Sequence, residues 1–354
     1  MATIISPFTA LPDDVLQRVL LGVSRDDHDA TAAACRAFRA VIRGPRFLRL
    51  RREYGFAERR VIFVGQAPRR SDDNYNAPLT IHIAGYHGAV ASIHDNMSLS
   101  LRGSSTDGGA RLFVSTTGHL ETSRPSLVLA VDGSTRRWSR LATLPLNQIL
   151  HCLEWHGGLL YVAGGLDVIP YQPSSPINNL QAFDETTGLW QSLPQMPHAC
   201  ALAASGVIGN ELFIAGGRGL DHGPMSTLQI YDFTTQTWRL GAPLPYRHCG
   251  AYGIVLDDGK SLYLVPSRVS TVQRTLVYDV QSNTWSEQEQ YEDPPYEPGH
   301  NVMHAFAHEG RIVAARDSGW AYHRASGTGS DWSRFDLDVE PGIINGVAGS
   351  VLLG

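Results

Sequence analysis

Long apolar runs are missing from this chain of 354 residues. No stretch approaches the roughly 18 uninterrupted apolar residues of a membrane span, so no membrane partner is expected. Basic charge is not in excess either, with 29 Lys and Arg against 34 Asp and Glu and a net charge of -5. That balance gives no electrostatic reason to bind nucleic acid. Cysteine is scarce: Cys35, Cys152, Cys200 and Cys249 contain no CxxC pair, and the opening MATIISPFTA lacks a charged segment followed by a long apolar one. Export is therefore not expected, and a reducing compartment, cytoplasm and/or nucleus, is. No Gly-rich phosphate loop, nucleophile elbow or HExxH occurs, so the chain is read as no enzyme, with no catalytic residue, cofactor or metal. Lysine is almost absent, since 28 of the 29 basic residues are arginine and Lys260 is the one lysine.

What is present is 43% hydrophobic and 18% charged content with 35 glycines and 20 prolines spread along the length. Such punctuation favours many short strands joined by turns over a helical bundle. The exception lies at the start. Residues 1–10 read as a tail and residues 11–55 as helices. In LPDDVLQRVLLGV, Pro12 suits a first helical turn, Asp13 and Asp14 complement the helix dipole, and Val15, Leu16, Val19 and Leu20 form one apolar stripe. A second helix, with Asp27 or Asp29 as N-cap, carries Ala34, Phe38 and Val41 and stops at Gly44-Pro45; a third runs from Arg46 to Tyr54. A unit of about 45 residues buries too little surface to be sturdy alone, which implies a docking module. Its arginines, from Arg36 through Arg51 and Arg52 to Arg60, read as a solvated face or as complementarity to an acidic partner.

From residue 57 onward the chain repeats. Trp138, Trp190, Trp238, Trp285 and Trp332 are separated by 52, 48, 47 and 47 residues, and Asp132, Asp184, Asp232 and Asp279 lie six positions before the first four. Asp, a turn-prone stretch and Trp describe a hairpin whose carboxylate caps turn N–H groups and whose indole packs between sheets. Strands upstream end at Gly164-Gly165 and Gly216-Gly217, with degenerate copies at Gln66, Thr116, Ser267 and Arg316, spaced 49 to 52 residues apart. Diglycine there permits close backbone approach. Six copies of four strand-sized pieces predict a six-bladed β-propeller, and the strand near Ile343 to Val347 completes the first blade.

On these residues both parts resemble known families. The strand-GG, Tyr-Asp and Trp pattern over 57–354 is similar to the kelch repeat. LPDDVLQRVL, then Ala34 to Arg39 and Phe47, resembles the F-box, with Phe38 in the place of the usual Trp. The order F-box then kelch is that of plant F-box/kelch-repeat proteins. The fold class implied is mainly β, a six-bladed kelch β-propeller preceded by a small all-α F-box-like helical module. The resemblance implies the substrate-recognition subunit of an SCF-type ubiquitin ligase: the F-box docks a Skp-type adaptor, and through it a cullin-RING ligase, while the propeller binds the protein to be ubiquitinated. By the same resemblance Leu11, Pro12, Val15, Leu16, Val19, Leu20, Cys35 and Phe38 make or support the adaptor contact. Two alternatives stand beside it, a kelch scaffold without ligase docking and a kelch-type small-molecule enzyme using the central channel.

A rigid repeat leaves its variable chemistry to loops, so the connections after GG and after LP are the expected recognition face. They carry Arg69, Arg70, Arg218, Arg247, Arg268 and Arg316, with Asp167, Tyr171, Asp221, His222 and Tyr246 nearby. Guanidinium forks suit carboxylate or phosphate, which points to an acidic or phosphorylated target protein. The recurrence of His151-Cys152, His198 with Cys200, and His248-Cys249 offers zinc-type ligands. Their repeat-equivalent positions place them on different blades around an axis, so copied framework is the expectation. In a ubiquitin ligase a single lysine also means few acceptors for self-modification.

Overall fold

The computed structural model describes residues 12–23, 27–43, 46–54, 58–66, 79–83, 91–93, 98–107, 109–117, 126–168, 174–256, 259–267, 270–271, 274–287, 302–316, 320–325, 333–336 and 344–353. Helix α1 (Asp13–Leu21) begins one residue later than expected: Pro12 has an extended ψ of 146° and serves as the cap. Its carbonyl accepts the Leu16 N–H at 2.9 Å. The expected second helix is two helices, α2 (His28–Ala34) and α3 (Arg36–Ile42), broken at Cys35, which is extended at φ -156°. The Cys35 Sγ accepts the Phe38 N–H at 3.4 Å, so the thiol caps α3. Asp27 stands at the N-cap of α2, yet its side chain makes no capping hydrogen bond. Helix α4 (Phe47–Glu53) follows. The four helices bury Leu16, Leu20, Leu21, Ala32, Ile42, Phe47 and Leu50 against one another.

Arg51 corrects the reading of the arginine run as solvated. Its side chain is fully buried, donating to the Leu21 carbonyl at 2.7 Å and to the Val23 carbonyl, and it lies 3.2 Å from both His28 Nε2 and Glu58 Oε1. One guanidinium thus satisfies the end of α1 and ties the helices to the first residue of the β part. Arg36, Arg39, Arg43, Arg46 and Arg59 are exposed.

Among the described residues the rest forms six four-stranded antiparallel sheets in chain order and one small three-stranded ribbon. The first pairs Ile344–Leu353 with Glu58–Gln66, followed by Leu79–Ile83 and Ala91–Ile93. The last strand of the chain thus pairs with the first along its whole length, Leu353 opposite Glu58 and Val347 opposite Val64. The second holds Ser98–Thr106, Arg111–Thr117, Leu127–Asp132 and Arg137–Thr143; the third Cys152–His156, Leu159–Ala163, Leu180–Asp184 and Leu189–Leu193. The fourth holds Ala204–Ile208, Glu211–Ala215, Leu228–Asp232 and Thr237–Leu240; the fifth Tyr252–Val255, Ser261–Val265, Leu276–Asp279 and Thr284–Glu287. Val302–His308, Arg311–Arg316, Trp320–Ala325 and Ser333–Asp336 form the sixth. The first-listed strands neighbour one another in cyclic order, the sixth against the first, so every sheet has a neighbour on each side.

Burial follows from that order. In the third sheet the two middle strands are buried almost throughout, because sheets on both sides cover their faces, whereas the outer strand Leu189–Leu193 is largely exposed. The inner strand Ala204–Ile208 alternates, with one face toward the centre.

Two devices join the sheets. Asp184, Asp232 and Asp279 each accept turn N–H groups at 2.7 to 2.9 Å; their carboxyls lie below the usual range, held there at Asp184 by the Thr186 hydroxyl and then its N–H, and at Asp232 and Asp279 chiefly by the turn N–H groups. Each indole then donates to the preceding sheet's outer end: Trp190 to the Thr143 carbonyl at 2.8 Å, Trp238 to Pro194 at 2.7 Å, Trp285 to Ala242 at 2.8 Å. The diglycines supply the other. Gly216 has φ +63°, and a Cβ there would lie 2.4 Å from the His248 carbonyl oxygen; Gly164 is placed likewise on Cys200. Gly217 N–H donates to the His248 carbonyl at 2.9 Å and Gly165 N–H to that of Cys200 at 2.8 Å. Each diglycine therefore fastens its sheet to the connection entering the next.

Candidate functional site

The recognition face expected from the sequence divides into residues the fold gathers and residues it separates. After Ala215 the chain turns through 216–227, and its tip is tied at several points. Gly219 N–H donates to the Gly223 carbonyl and His222 N–H to the Gly219 carbonyl, both at 2.9 Å. The Arg218 Nε donates to the His222 carbonyl at 2.9 Å, and Asp221 Oδ1 accepts the Gly223 N–H at 3.0 Å. Arg247, on the next connection, faces Asp221 at 3.7 Å, with both side chains 67% exposed. Arg218, Asp221, His222 and Arg247 thus form one cluster. Leu220 at the tip is 69% exposed.

Beside this cluster lies a groove of about 660 Å³ between the third and fourth sheets. Its walls include Pro176, Pro197, Leu220, Asp221, Met225 and Arg247. The walls are fixed from behind. Buried Gln229 accepts the His198 N–H at 2.8 Å and donates to the His198 carbonyl at 3.1 Å, and Met196 N–H donates to the Asn178 carbonyl at 2.8 Å. Sequence reasoning missed this groove, because its prolines and Met225 come from three connections that only folding brings together; the tight GRGLDHGP segment was its one local signal.

Other expected residues lie elsewhere. Asp167 pairs with Gln148 in a small ribbon of Gln148–Ile149, Leu166–Asp167 and Ser175–Pro176, and is half-buried. Tyr246 does not stand on the rim: it packs against the core between the fourth and fifth sheets, where burial and then the Glu287 carboxylate push its hydroxyl up. A phenol ring following Pro245 finds more apolar surface in that seam than in solvent. Arg316 ends the strand Arg311–Arg316 opposite Val302. Arg69, Arg70, Tyr171 and Arg268 lie outside the described residues, as does Leu11 of the helical set.

Among the helical positions, Val15 is 38% exposed and Val19 51% exposed, while Leu16 and Leu20 are buried in the helices' own core. The single stripe of the sequence reading is therefore two. Positions 15 and 19 form one ridge and 16 and 20 the next, about 100° around the helix. Pro12 is exposed, and Cys35 and Phe38 are half-buried, Phe38 against that core.

The histidines and cysteines behave as framework. His151, His248 and His304 are buried on three different sheets or their entries, and His198 is exposed. Cys152 and Cys200 depart from the expected separation, since they pack in one cluster between the third and fourth sheets, where the inner strand of one meets the connection entering the next. Burial holds the Cys200 thiol protonated, with Cys152 adding to the effect, and burial pushes His151 down to about 4 against a backbone hydrogen bond with Gln148. Among the described residues no three His, Cys, Asp or Glu side chains converge on a metal site. A second cavity of about 340 Å³ lies among the inner strands, where Ser205 donates to Glu154 at 2.7 Å.

Repeated antiparallel sheets, the third and fourth each locked by an indole and a diglycine, define a repeat protein built from one sheet motif. The kelch motif matches residues 151–197 and 199–245, the third and fourth sheets with their entries, so the chain carries kelch repeats there. The chain is similar to Kelch-like protein 34 of Homo sapiens, 27% identical over 38% of this chain, and to Kelch-like protein 40 of Xenopus laevis, 25% identical over 49%. It spans about a quarter of the length of these relatives, 23% and 28% respectively. In fold it is similar to the solved structure of YjhT, at a TM-score of 0.51 and 16% identity over 62% of this chain and 72% of that one.

Proposed function

We propose that the protein is the substrate-recognition subunit of an SCF-type ubiquitin ligase, in which residues 11–55 are an F-box-like module docking a Skp-type adaptor and residues 57–354 are a six-bladed kelch propeller binding the target. One observation carries the docking half: α1 presents Val15 and Val19 to solvent while Leu16, Leu20 and Leu21 on its other side form the core. An exposed apolar ridge backed by a packed core is what a partner helix needs, and its position just before a kelch repeat matches the F-box/kelch order. Cyclic neighbouring of the inner strands and pairing of the first strand with the last support six blades in a closed ring. The Arg218, Asp221, His222 and Arg247 cluster supports a target-binding face, and the role proposed for the protein is delivery, without chemistry of its own.

The test is affinity purification of the full chain and of its Val15→Asp/Val19→Asp variant, with mass spectrometry of what accompanies each. Adaptor and cullin with the first and neither with the second supports the ligase. Their absence from both leaves the scaffold alternative, in which the β part binds its partner unassisted.

A further inference from the structure

We infer that the seam between the second and third sheets is a joint: the two sheets part at the ends that carry the loops, pivoting about Arg111, and ordered water occupies the polar chamber between them. The inference goes beyond the receptor reading and does not depend on it.

The repeat makes this seam comparable with its neighbours. Leu150, Leu202 and Gly250 share a left-handed backbone, at φ 57°, 56° and 90°. They are linked in turn, Leu202 N–H donating to the Leu150 carbonyl at 3.0 Å and Gly250 N–H to the Leu202 carbonyl at 2.9 Å. Two residues before them stand Gln148, Cys200 and His248. The carbonyls of Cys200 and His248 each take a glycine N–H, and a Cβ on Gly164 or Gly216 would come within 2.4 Å of them. The second sheet has Thr116 in the place of that glycine. Its branched side chain holds the next connection further off, and the Gln148 carbonyl is met by the Ser126 hydroxyl at 3.4 Å, which also donates to Asn147 Oδ1 at 3.0 Å. What lies between is polar. Ser115, Gln148 and His151 are fully buried where the next seam has Ala163, Cys200 and Ala203. Asn179 Nδ2 donates to Gln148 Oε1 at 2.9 Å. Yet Gln148 Nε2, Asn179 Oδ1 and Ser115 Oγ have no partner among the described residues, and His151 has at most the Gln148 backbone for two ring nitrogens. Donors and acceptors left together in this way suit water, which offers both, better than an ion of either sign. Closed and dry, the seam would leave them unmet, so it parts more easily than its apolar neighbours.

The opposite end is held. Arg111 begins the strand whose far end carries Ser115 and Thr116. Its Nη1 donates to the two Glu185 carboxylate oxygens at 2.8 and 2.9 Å and its Nε to Asp107 at 2.8 Å. The guanidinium also lies 5.0 Å from the Phe113 ring centre and 5.2 Å from that of Trp155, and the two rings stack 4.9 Å apart. Trp155 and Glu185 belong to the third sheet and its hairpin, so Arg111 pins the two sheets at one end while the other rests on water-bridged side chains. Parting at that end displaces the connection 144–151 and with it reshapes the loop face.

The experiment is hydrogen–deuterium exchange of the full-length protein, read by mass spectrometry and corrected for intrinsic rates. Peptides covering 144–151 should exchange at least about tenfold faster than the repeat-equivalent 196–203 and 244–251. The variant Ser115→Ala/Gln148→Cys/His151→Ala copies the next seam's Ala163, Cys200 and Ala203, and should slow 144–151 to the rate of 196–203. Ser115→Ala/His151→Ala stands in if the triple variant fails to fold. Arg111→Gln, which removes the pin, should speed exchange in 107–113 and 184–190 while 228–232 stays protected. Equal exchange in the three wild-type peptides, or a 144–151 rate unmoved in a natively unfolding apolar variant, would overturn the joint. Unchanged exchange in Arg111→Gln would overturn the pivot, and a crystal structure in which Gln148 Nε2 and Asn179 Oδ1 bond directly to protein atoms would overturn the water.

Discussion

Replacing Gly216 with alanine tests how the sheets are joined, and Gly188→Ala provides its control. Both glycines have left-handed backbones, at φ +63° and φ +70°, so alanine costs about 1 kcal/mol at either site through conformation alone. Their surroundings differ. A Cβ at Gly188 meets nothing within 4 Å, whereas at Gly216 it would lie 2.4 Å from the His248 carbonyl oxygen, which is backbone and cannot swing aside. Relief requires the two sheets to part by several tenths of an ångström. That movement loosens the hydrogen bond from Gly217 N–H to the same carbonyl, now 2.9 Å, and leaving buried backbone groups unmet costs about 1–3 kcal/mol. Gly216→Ala should therefore lose about 3 kcal/mol and Gly188→Ala about 1 kcal/mol. Paired urea denaturation curves followed by tryptophan fluorescence measure the difference. Equal losses would refute the claim that the diglycine fastens one sheet onto the entry of the next.

Further outcomes follow from the same geometry. Trp238→Phe keeps the ring against Tyr231 but drops the 2.7 Å hydrogen bond to Pro194, and should lower stability by about 1 kcal/mol in the same denaturation assay. His151, neutral when folded, is pushed down from 6.5 to about 4. Its folded pKa is depressed, so the unfolded chain binds more protons between those values; stability is full above 6.5 and falls as pH drops toward 4. The loss should reach about 2 kcal/mol by about pH 5, and His151→Gln should flatten that part of the stability curve. In a reconstituted ligase, Lys260→Arg should abolish ubiquitin linkage to any side-chain amine of the receptor, read by mass spectrometry of modified peptides; linkage elsewhere on a side chain would contradict it.

Much of the β part was legible because its signals are local and repeated. Asp232 and Trp238, or Asp279 and Trp285, sit six residues apart in every clear copy, and turn and indole anchor are fixed by that short span. The diglycines announced a close approach, though not the partner: that Gly216 rests on His248 depends on the next sheet's position. Helix α1 was read as one stripe because Val15, Leu16, Val19 and Leu20 are equally apolar, and only packing decides which pair turns inward. Arg51 was read as solvated since composition makes arginine a surface residue, whereas carbonyls left over at the end of α1 drew it inside. The groove escaped notice for a related reason. Pro176, Pro197 and Met225 are unremarkable singly, and their juxtaposition depends on how the third and fourth sheets meet.

The most direct test of the central claim is titration calorimetry of a purified Skp-type adaptor into the full-length protein and into Val15→Asp/Val19→Asp. The account predicts saturable binding to the first and a loss of at least about tenfold in the second, with both unfolding at the same temperature. Undetectable binding to the wild type, or equal binding to both proteins, would contradict it.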